Sequence, residues 1–468
     1  MARRIITARH RSTHHRARTA AAGLLAAALL GTGAAAAAGA EGPSPQADPT
    51  GQTARTPLER QVLPDGDGWA AADGGTTGGA AAAADRVYDV DSRSELLAAL
   101  EAGDDEKIIR VHGVIDASED AGGAPQTCDA YAAGTGYSLE AYLAAYDPAV
   151  WGWEEEPSGP QEDARRAAAS NQQDYIRWDI PSNTTLVGAD PDSGITGAAL
   201  RINGEHNVIV RNLTISDSKD CFPAWDPTDG DTGNWNSEYD LLQVINGSTH
   251  VWIDHSTFTD APNFDDQLPE YFGRPFQMHD GAVDVTNGSN YVTMSYNRFE
   301  DHDKLMLIGS TDSPTRGDPG KLKVTIHHNV FEDIGQRAPR VRYGQVDVYN
   351  NHFVSTDDAP VEYSYLFGAG VESHLHVTDN AIEGVEASSV IKNWRGTGIY
   401  TANNLVDGKR TDLLAAHNAS VDASQQLAVD TSWTPQLRTT VHAPQALPAL
   451  LERTAGPILT AGSAEGDR

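Results

Sequence analysis

A short pattern of apolar and polar positions recurs along the second half of the chain. Each copy has two apolar residues separated by one residue of any kind, then two or three polar residues that often include Asn, and then another apolar residue. Such alternation is typical of a β-strand with one buried face. Successive copies start 22 to 43 residues apart. The clear copies are residues 292–299, 324–331 and 346–353, and weaker ones begin at Val208, Val251, Leu375 and Ile399.

Strand patterns that repeat at intervals of this length are typical of solenoids and propellers. Each unit contains one or two strand signals, whereas a propeller blade needs four, so a solenoid is favoured. The repeat therefore predicts an all-β fold, a right-handed parallel β-helix with its apolar positions pointing inward and its Asn residues stacked at the bends. One continuous domain is expected because each coil contacts only its neighbours. An all-β sandwich is the alternative.

One short helix is predicted at the N-terminal end of the repeat. Ser92 and Glu95 have the spacing of a capping box, and three leucines follow at helical spacing. We predict a helix over 93–102 that caps the β-helix, followed by a strand over 107–114. Helical periodicity nearly vanishes beyond this point.

The N-terminal region predicts export. The first 40 residues contain six arginines and no acidic residue, and an apolar stretch over 20–30 precedes a small-residue site that ends at Ala40. This is the composition of a secretory signal peptide, and a membrane anchor is the weaker alternative because the apolar stretch is short and rich in alanine. Residues 41–84 are rich in Ala, Gly, Thr and Pro without periodicity, which predicts a disordered spacer. The β-helix domain is then expected over 85–468 of a secreted, extracellular protein.

Export also affects the interpretation of the two cysteines. An oxidising compartment permits a disulfide between Cys128 and Cys221, and two buried free thiols are the alternative.

The chain of 468 residues is strongly acidic, with 66 Asp and Glu against 34 Lys and Arg and a formal net charge of −32. A polyanion of this size is a poor nucleic-acid binder, because contacts to phosphate need basic surface. Beyond the N-terminal region no apolar run approaches the roughly 20 residues of a membrane span. We therefore expect a protein that binds neither nucleic acid nor membrane. A monomer is also expected.

Three aspartates are predicted to meet on successive coils. Asp240 lies 11 residues before Val251 and Asp280 lies 12 before Val292, so stacking would bring their carboxylates roughly 4.8 Å apart. Asp284 lies four residues after Asp280 and can join them only if the segment turns, because an extended strand would separate the two by about 13 Å. Crowded carboxylates repel, and Ca²⁺, which takes about 6–8 oxygen ligands, relieves that repulsion. A solvated acidic surface is the alternative.

Three basic residues follow the same logic. Lys304 lies 12 residues after Val292 and Arg337 lies 13 after Val324, so they too should stack. Arg342 can share a face with Arg337 if the intervening Pro339 bends the strand. A row of cations beside a Ca²⁺ site would make a carboxylate-binding cleft on an otherwise negative protein. Ordinary surface ion pairing is the alternative for these side chains.

Six motifs follow one another between residues 225 and 344. They are W-D-P-T-D-G at 225–230, G-N-W-N-S-E-Y-D at 233–240, V-W-I-D-H at 251–255, H-D-G-A-V-D at 279–284, H-D-K at 302–304 and Q-R-A-P-R-V-R-Y-G at 336–344. These motifs and their order resemble the pectate lyases of the main bacterial parallel β-helix family. The resemblance covers about residues 85 to 455 and is closest to secreted bacterial members.

The resemblance implies β-elimination on α-1,4-polygalacturonate, giving 4,5-unsaturated products. It assigns calcium binding to Asp240, Asp280 and Asp284, removal of the C5 proton to Arg337, and contacts with substrate carboxylates to Lys304 and Arg342. Ca²⁺ and Lys304 would draw charge from the uronate carboxylate and so acidify that proton. Arginine is ordinarily too basic for this role, so nearby positive charge would have to favour its neutral form, and we expect the enzyme to work best at alkaline pH.

Three further features receive weaker interpretations. The motif of Trp252, Asp254 and His255 is expected to be a structural hydrogen-bond cluster. His327 and His328 are adjacent on a strand and point to opposite faces, which favours a structural role over a metal site. The segment 265–275 is expected to add a contact at the rim of the cleft or a second calcium ion.

Three other functions remain open on the sequence. A pectin lyase would act on methylated polymer without calcium and should lack the three acids. A glycoside hydrolase on the same fold would use paired aspartates to activate water, but the motifs of polygalacturonases are missing. A non-catalytic β-helix that binds cell-wall polysaccharide would not need Arg337 and Lys304 beside the acids.

Overall fold

The computed structural model describes residues 56–120 and 122–458. The predicted signal peptide and residues 41–55 of the predicted spacer lie outside these ranges. Among the described residues, no helix combines the length and the apolar character needed to cross a bilayer.

Most strands of the described chain belong to three long sheets that wrap a common core, here called sheets A, B and C. In order across sheet A, the strands are Val87–Val90, Lys107–Val111, Thr184–Gly188, His206–Arg211, Thr249–Asp254, Asn290–Ser295, Lys323–His327, Gln345–Tyr349, His374–Thr378, Gly398–Ala402 and Ala428–Val429.

Sheets B and C complete each coil. Sheet B contains Val114–Asp116, Gly194–Thr196, Thr214–Ser216, Thr257–Thr259, Arg298–Lys304, Val330–Gln336, His352–Val354, Ala381–Glu383, Leu405–Val406 and the antiparallel Lys409–Arg410. Sheet C contains Arg177–Asp179, Ala199–Asn203, Leu242–Ile245, Val283–Val285, Leu307–Ile308, Arg340–Val341, Phe367–Gly370 and Ile391–Trp394. Two hairpins project from the coils, Ala224–Asp226 with Asn234–Asn236 and Glu270–Tyr271 with Arg274–Pro275.

The helices lie at the ends and on the outside of the stack. The α-helices are α1 (Arg93–Leu100), α2 (Cys128–Ala132), α3 (Leu139–Tyr146), α4 (Pro148–Trp151), α5 (Pro160–Ile176), α6 (Leu413–Ser420) and α7 (Leu447–Thr454). Short 3-10 segments occur at Leu58–Arg60, Trp69–Gly74, Ala84–Arg86, Asp265–Gln267, Pro314–Arg316, Ala387–Ser389 and Pro444–Ala446.

The register of sheet A confirms the predicted repeat and, with it, the parallel β-helix. Val251 pairs with both Val208 and Val292, and Val292 pairs in turn with Val324. The later copies continue in the same register, through Val346 and Leu375 to the strand that contains Ile399. A shift by one residue would turn the buried apolar positions outward, so burial of these side chains holds the register.

Two side-chain stacks run through the coils. Phe258, Phe299, Phe331 and Phe353 stack inside the barrel with ring centroids 4.5–5.2 Å apart. At the bend between sheets A and B, each buried asparagine of a ladder accepts a hydrogen bond from the backbone N–H of its counterpart on the preceding coil. The members of this asparagine ladder are Asn297, Asn329, Asn351, Asn380 and Asn404.

The expectation that helical structure ends after the first helix is wrong. Helices α2 to α5 occupy much of 128–176, between the second and third strands of sheet A. Tyr142 and Tyr146 of α3 pack with Trp225 and Trp235 of a hairpin in a second apolar cluster outside the barrel. The apolar periodicity of these helices is weak for two reasons. They pack against a hairpin that projects from the β-helix, and α5 is rich in alanine and polar residues.

The first helix also differs in detail from its prediction. Helix α1 ends at Leu100 rather than at residue 102, and Ser92 makes no side-chain capping hydrogen bond. The predicted capping box is not formed, because the Glu95 carboxylate accepts from the N–H of Asp91, one residue before the cap residue Ser92. The disulfide is formed: Cys128 of α2 is bonded to Cys221, with their Cα atoms 5.4 Å apart.

The prediction of a disordered spacer is wrong for residues 56–84. This N-terminal strap packs along the outer face of sheet A, where the backbone N–H groups of Trp69 and Ala70 donate to the Thr325 and Thr293 hydroxyls. Gly79 lies so close to Lys107 that a Cβ would come within 1.8 Å of the Lys107 carbonyl oxygen. The small residues that suggested disorder are therefore those that allow the backbone to approach the sheet.

The Trp252, Asp254 and His255 motif forms a buried network beneath the strap. Asp254 accepts from Arg211 at 2.5 Å and from the Ser295 hydroxyl at 3.0 Å, and the Trp252 indole N–H donates to the same hydroxyl at 2.9 Å. His255 lies beside Asp254, with its Nδ1 2.8 Å from Oδ2. These contacts link successive coils of sheet A, as a structural cluster would.

His327 and His328 belong to another buried cluster. Their Nδ1 atoms are 2.7 Å apart, and His328 Nε2 is 2.8 Å from Nδ1 of His442 in the C-terminal segment. The His328 ring also stacks on Tyr296. Burial and the two neighbouring imidazoles lower the pKa of His328 to about 2.

Removing one member of the asparagine ladder should destabilise the fold. Asn329 donates to the carbonyls of Met294 and His327 and to Asn351, and its oxygen accepts from Asn297. Asn329→Ala leaves these buried groups without partners, so we expect a loss of at least about 2 kcal/mol in the free energy of unfolding by urea titration. Asn171→Ala, at an exposed position in α5, is the control and should cost less than about 1 kcal/mol. Equal losses in the two variants would contradict a special role for the ladder.

The histidine cluster should make the protein less stable in acid. Below about pH 6.5 the unfolded chain protonates His328 while the folded protein does not, so stability falls as the pH is lowered from 6.5 toward 4. In His328→Asn this dependence should be shallower by up to about 1.4 kcal/mol per pH unit, and asparagine tolerates the φ of +55° at this position. Urea unfolding at several pH values measures the slope, with His206→Asn, an exposed histidine, as control. Unchanged slopes would rule out this source of acid sensitivity.

Candidate active site

A cleft of about 750 Å³ opens where strands of sheet B end and the hairpin Glu270–Tyr271 with Arg274–Pro275 overhangs the barrel. Lys304 and Arg337 both line it, at the ends of adjacent strands of sheet B. The other lining residues are Asn234, Asp265, Asp266, Arg274, Pro275, Gln277, Asp303, Gln336 and residues 359–364.

Lys304 and Arg337 are brought together by the coil register. Lys304 pairs with Gln336, so Arg337 lies one residue further along the next coil and the predicted stacking is correct to within one position. Arg337 has a φ of +63° and sits at the corner between strand Val330–Gln336 of sheet B and strand Arg340–Val341 of sheet C. Its Nε is buried and has no hydrogen-bond partner within the described chain.

The three predicted acids lie on adjacent coils at sheet C. Asp240 lies just before strand Leu242–Ile245, and Asp284 lies within strand Val283–Val285. These two strands pair with each other. The N–H of Gly281 donates to Asp240 Oδ1 at 2.6 Å, and the N–H of Leu307 donates to Asp284 Oδ1 at 2.7 Å. A Cβ on Gly281 would come within 2.7 Å of an oxygen of both Asp240 and Asp284, so glycine is required for the two carboxylates to face each other.

The electrostatics of these acids favour a bound cation. Burial, and then the charge of Asp280, raises the pKa of Asp240 to about 7. Burial together with the charges of Asp240 and Asp280 also raises the pKa of Asp284. Several carboxylates so close together are costly unless a positive charge compensates them. Their all-oxygen donor set fits a hard cation such as Ca²⁺.

Asp280 forms an ion pair with Lys304 of the cleft. Its Oδ1 is 3.6 Å from Nζ of Lys304, which links the acids to the lining cations. Among the described residues, the side chains that place metal-binding atoms within 4.8 Å of one another are Asp260, Asp265 and His279 rather than the three predicted acids.

Arg342 is not among the residues that line the cleft. Its Nε donates to Asp312 at 2.7 Å and its Nη1 donates to the Gly309 carbonyl at 2.8 Å. Asp312 also binds Arg395 at 2.8 Å. Between Arg337 and Arg342, Arg340 lies over the Trp394 ring at 4.1 Å, and burial together with the neighbouring arginines lowers its pKa to about 10.

Several lining residues had no assigned role in the sequence analysis. Asp303 accepts hydrogen bonds from Gln277 at 2.7 Å and Gln336 at 3.1 Å and so joins two walls of the cleft. The segment 265–275 had been expected at the rim, and it is there. No sequence pattern indicated that residues 359–364 line the cleft, because they form an irregular loop outside the strand repeat.

Comparison with known proteins agrees with this geometry. A family model described as pectate lyase matches residues 54–136 and 160–440. The chain is 44% identical over 392 residues to a pectate lyase of Bacillus subtilis, covering 82% of this chain and 90% of that protein. It is 35% identical over 355 residues to pectate lyase A of Dickeya chrysanthemi, covering 74% and 78%.

Solved structures give the same result. The thermostable pectate lyase PL 47 superposes with a TM-score of 0.82 at 41% identity, covering 86% of this chain and 99% of that one. A pectate lyase bound to a hexasaccharide superposes with a TM-score of 0.80 at 42% identity, covering 86% and 98%. With this fold, these matches and this cleft, the chain belongs to the pectate lyase family of polysaccharide lyases.

Proposed function

We propose that this cleft cleaves α-1,4-linked polygalacturonate by calcium-dependent β-elimination, with Arg337 as the base. The observation that carries the proposal is the presence of Lys304 and Arg337 in one cleft, with Lys304 in contact with Asp280, one of the three acids. A pectate lyase relative has been solved with a hexasaccharide, which supports a polymeric substrate for this chain.

In the proposed reaction Arg337 removes the proton from C5 of a galacturonate unit. The electron pair of that C–H bond forms the C4–C5 double bond, the bond from C4 to the glycosidic oxygen breaks, and the departing oxygen takes a proton from solvent. Lys304 holds the uronate carboxylate, whose oxygens carry much of the charge that develops when C5 loses its proton. The new chain end is a 4,5-unsaturated sugar.

Asp240, Asp280 and Asp284 would hold the calcium ion. When bound, Ca²⁺ would neutralise these carboxylates and supply positive charge to the carboxylate of the substrate. The acids themselves create the local demand for a cation, because burial and mutual repulsion raise the pKa of both Asp240 and Asp284. This demand favours a pectate lyase over a pectin lyase, which needs no such group.

A contact between Arg342 and substrate requires Arg342 to exchange the Asp312 carboxylate for that of the sugar. The ion pair with Asp312 would meanwhile hold the guanidinium in a fixed orientation. Export through the leader at 1–40 would bring the enzyme to an extracellular polysaccharide.

The first test is the absorbance of the product. Incubation with polygalacturonate at alkaline pH should produce rising ultraviolet absorbance from the conjugated double bond, and a calcium chelator should stop it until excess Ca²⁺ is restored. New reducing ends without absorbance would indicate hydrolysis. Activity restricted to methylated pectin would indicate a pectin lyase.

Replacing the proposed base should remove turnover. Arg337→Lys keeps a positive charge but shortens the side chain and loses the guanidinium, so kcat should fall by at least about 10²-fold in the same assay. Arg316→Lys, at an exposed position outside the cleft, is the matched control and should leave kcat unchanged. Turnover near the wild-type rate in Arg337→Lys would remove Arg337 from the role of base.

A further inference from the structure

A second group of potential metal ligands lies beneath the loop over 261–277. His279 Nδ1 is 3.9 Å from Oδ2 of Asp260 and 4.0 Å from Oδ1 of Asp265. One ligand atom from each of the three residues lies within 4.8 Å of the others. The side chains of His279 and Asp260 are 2% and 1% exposed, and that of Asp265 is 15% exposed.

His279 is oriented as a metal-binding histidine would be. Its Nε2 lies 3.0 Å from Asp217 Oδ1, and since a carboxylate only accepts, Nε2 carries the hydrogen. In metal sites the second ring nitrogen of a ligating histidine usually donates to a carboxylate in this way. Nδ1 points toward Asp260 and Asp265 and has no hydrogen-bond partner, and Asp265 Oδ1 also has none.

The distances suit a bridging ion better than direct contact. A hydrogen bond between nitrogen and oxygen spans about 2.7–3.2 Å, so separations of 3.9 and 4.0 Å leave the atoms unbonded. An ion at about 2.0–2.2 Å from each atom would fit between them with a small inward movement. A protonated His279 is the competing explanation: although burial opposes its charge, Asp260, Asp217 and Asp265 raise the pKa of His279 to about 10.

We propose that Asp260, Asp265 and His279 form a binding site for Zn²⁺ or a similar divalent transition metal, separate from the proposed calcium site. An imidazole nitrogen with two carboxylate oxygens is a donor set for such metals, whereas Ca²⁺ prefers oxygen alone. The inference does not depend on the proposed calcium chemistry.

The surrounding contacts link this site to the cleft. Asp260 Oδ1 is 2.7 Å from His302 Nδ1, and His302 Nε2 is 3.0 Å from the carbonyl oxygen of Asp280. Asp265 and Asp266 line the cleft, and the N–H of Asp266 donates to the carbonyl of Pro360 in the opposite loop. A metal at Asp265 would therefore fasten the overhanging loop to the barrel wall and fix the shape of the cleft.

Two neighbouring aspartates provide a matched test. The full chain is stripped with chelator, saturated with Ca²⁺ to occupy the calcium site, and titrated calorimetrically with Zn²⁺. Asp265→Asn removes one ligand without a change in size and should weaken one zinc site by at least about tenfold. Asp266→Asn, next to it on the exposed side of the same 3-10 turn, should bind zinc as the wild type does.

Comparing the zinc binding of the two variants distinguishes this site from zinc bound by other histidines of the chain. Equal zinc binding in Asp265→Asn and Asp266→Asn, or no zinc bound by the wild type in the presence of Ca²⁺, would overturn the proposal. The absorbance assay on polygalacturonate is independent of that result.

Wild-type crystals provide a readout that needs no variant to fold. Crystals soaked in Zn²⁺ and Ca²⁺ should give an anomalous peak at the zinc absorption edge within bonding distance of His279 Nδ1. No peak there would indicate that a proton, not a metal, occupies this position.

Discussion

Stacking of the coils in register is the constraint on which the rest of the molecule depends. At the bend between sheets A and B, buried asparagines pass a hydrogen bond from coil to coil, and each amide group also satisfies backbone carbonyls that the turn would leave unpaired. The phenylalanine stack fills the space inside that bend. Because both stacks fix the position of one coil on the next, residues tens of positions apart in sequence come to predictable places on the surface.

In the cleft, the stacking of the coils holds like charges close together that would otherwise move apart. On a chain with a net charge of −32, a buried carboxylate that faces a second carboxylate on the neighbouring coil is an unfavourable arrangement without a cation. The rigid stack keeps them together, and Gly281 leaves the space in which they approach. Lys304 and Arg337 supply positive charge at the end of sheet B, beside the acidic residues that also line the cleft.

The parts of the structure that repeat could be predicted, and the parts that do not repeat could not. The repeat copies that begin at Val208, Val251 and Val292 predicted the strand register residue by residue. Counting from the start of each copy also placed Lys304 within one residue of the position beside Arg337. Helices α2 to α5 were missed, because they pack on aromatic residues remote in sequence, such as Trp225 and Trp235 of a hairpin, and show little apolar periodicity of their own. The ion pair between Arg342 and Asp312 could not be predicted either, because Asp312 lies on a loop whose path the repeat does not determine.

The N-terminal strap changes how the whole stack can come apart. A solenoid held by nearest neighbours can lose coils from either end, one after another. Here the strap crosses several coils of sheet A, and it meets the C-terminal segment where Gly68 donates to the Leu437 carbonyl and Thr439 donates to Asp67. The two ends of the described chain are thus tied together over the middle of the barrel. Loss of an end coil must also break contacts far from that end, so fraying is coupled to global unfolding, and a protease finds few locally opened segments to cut.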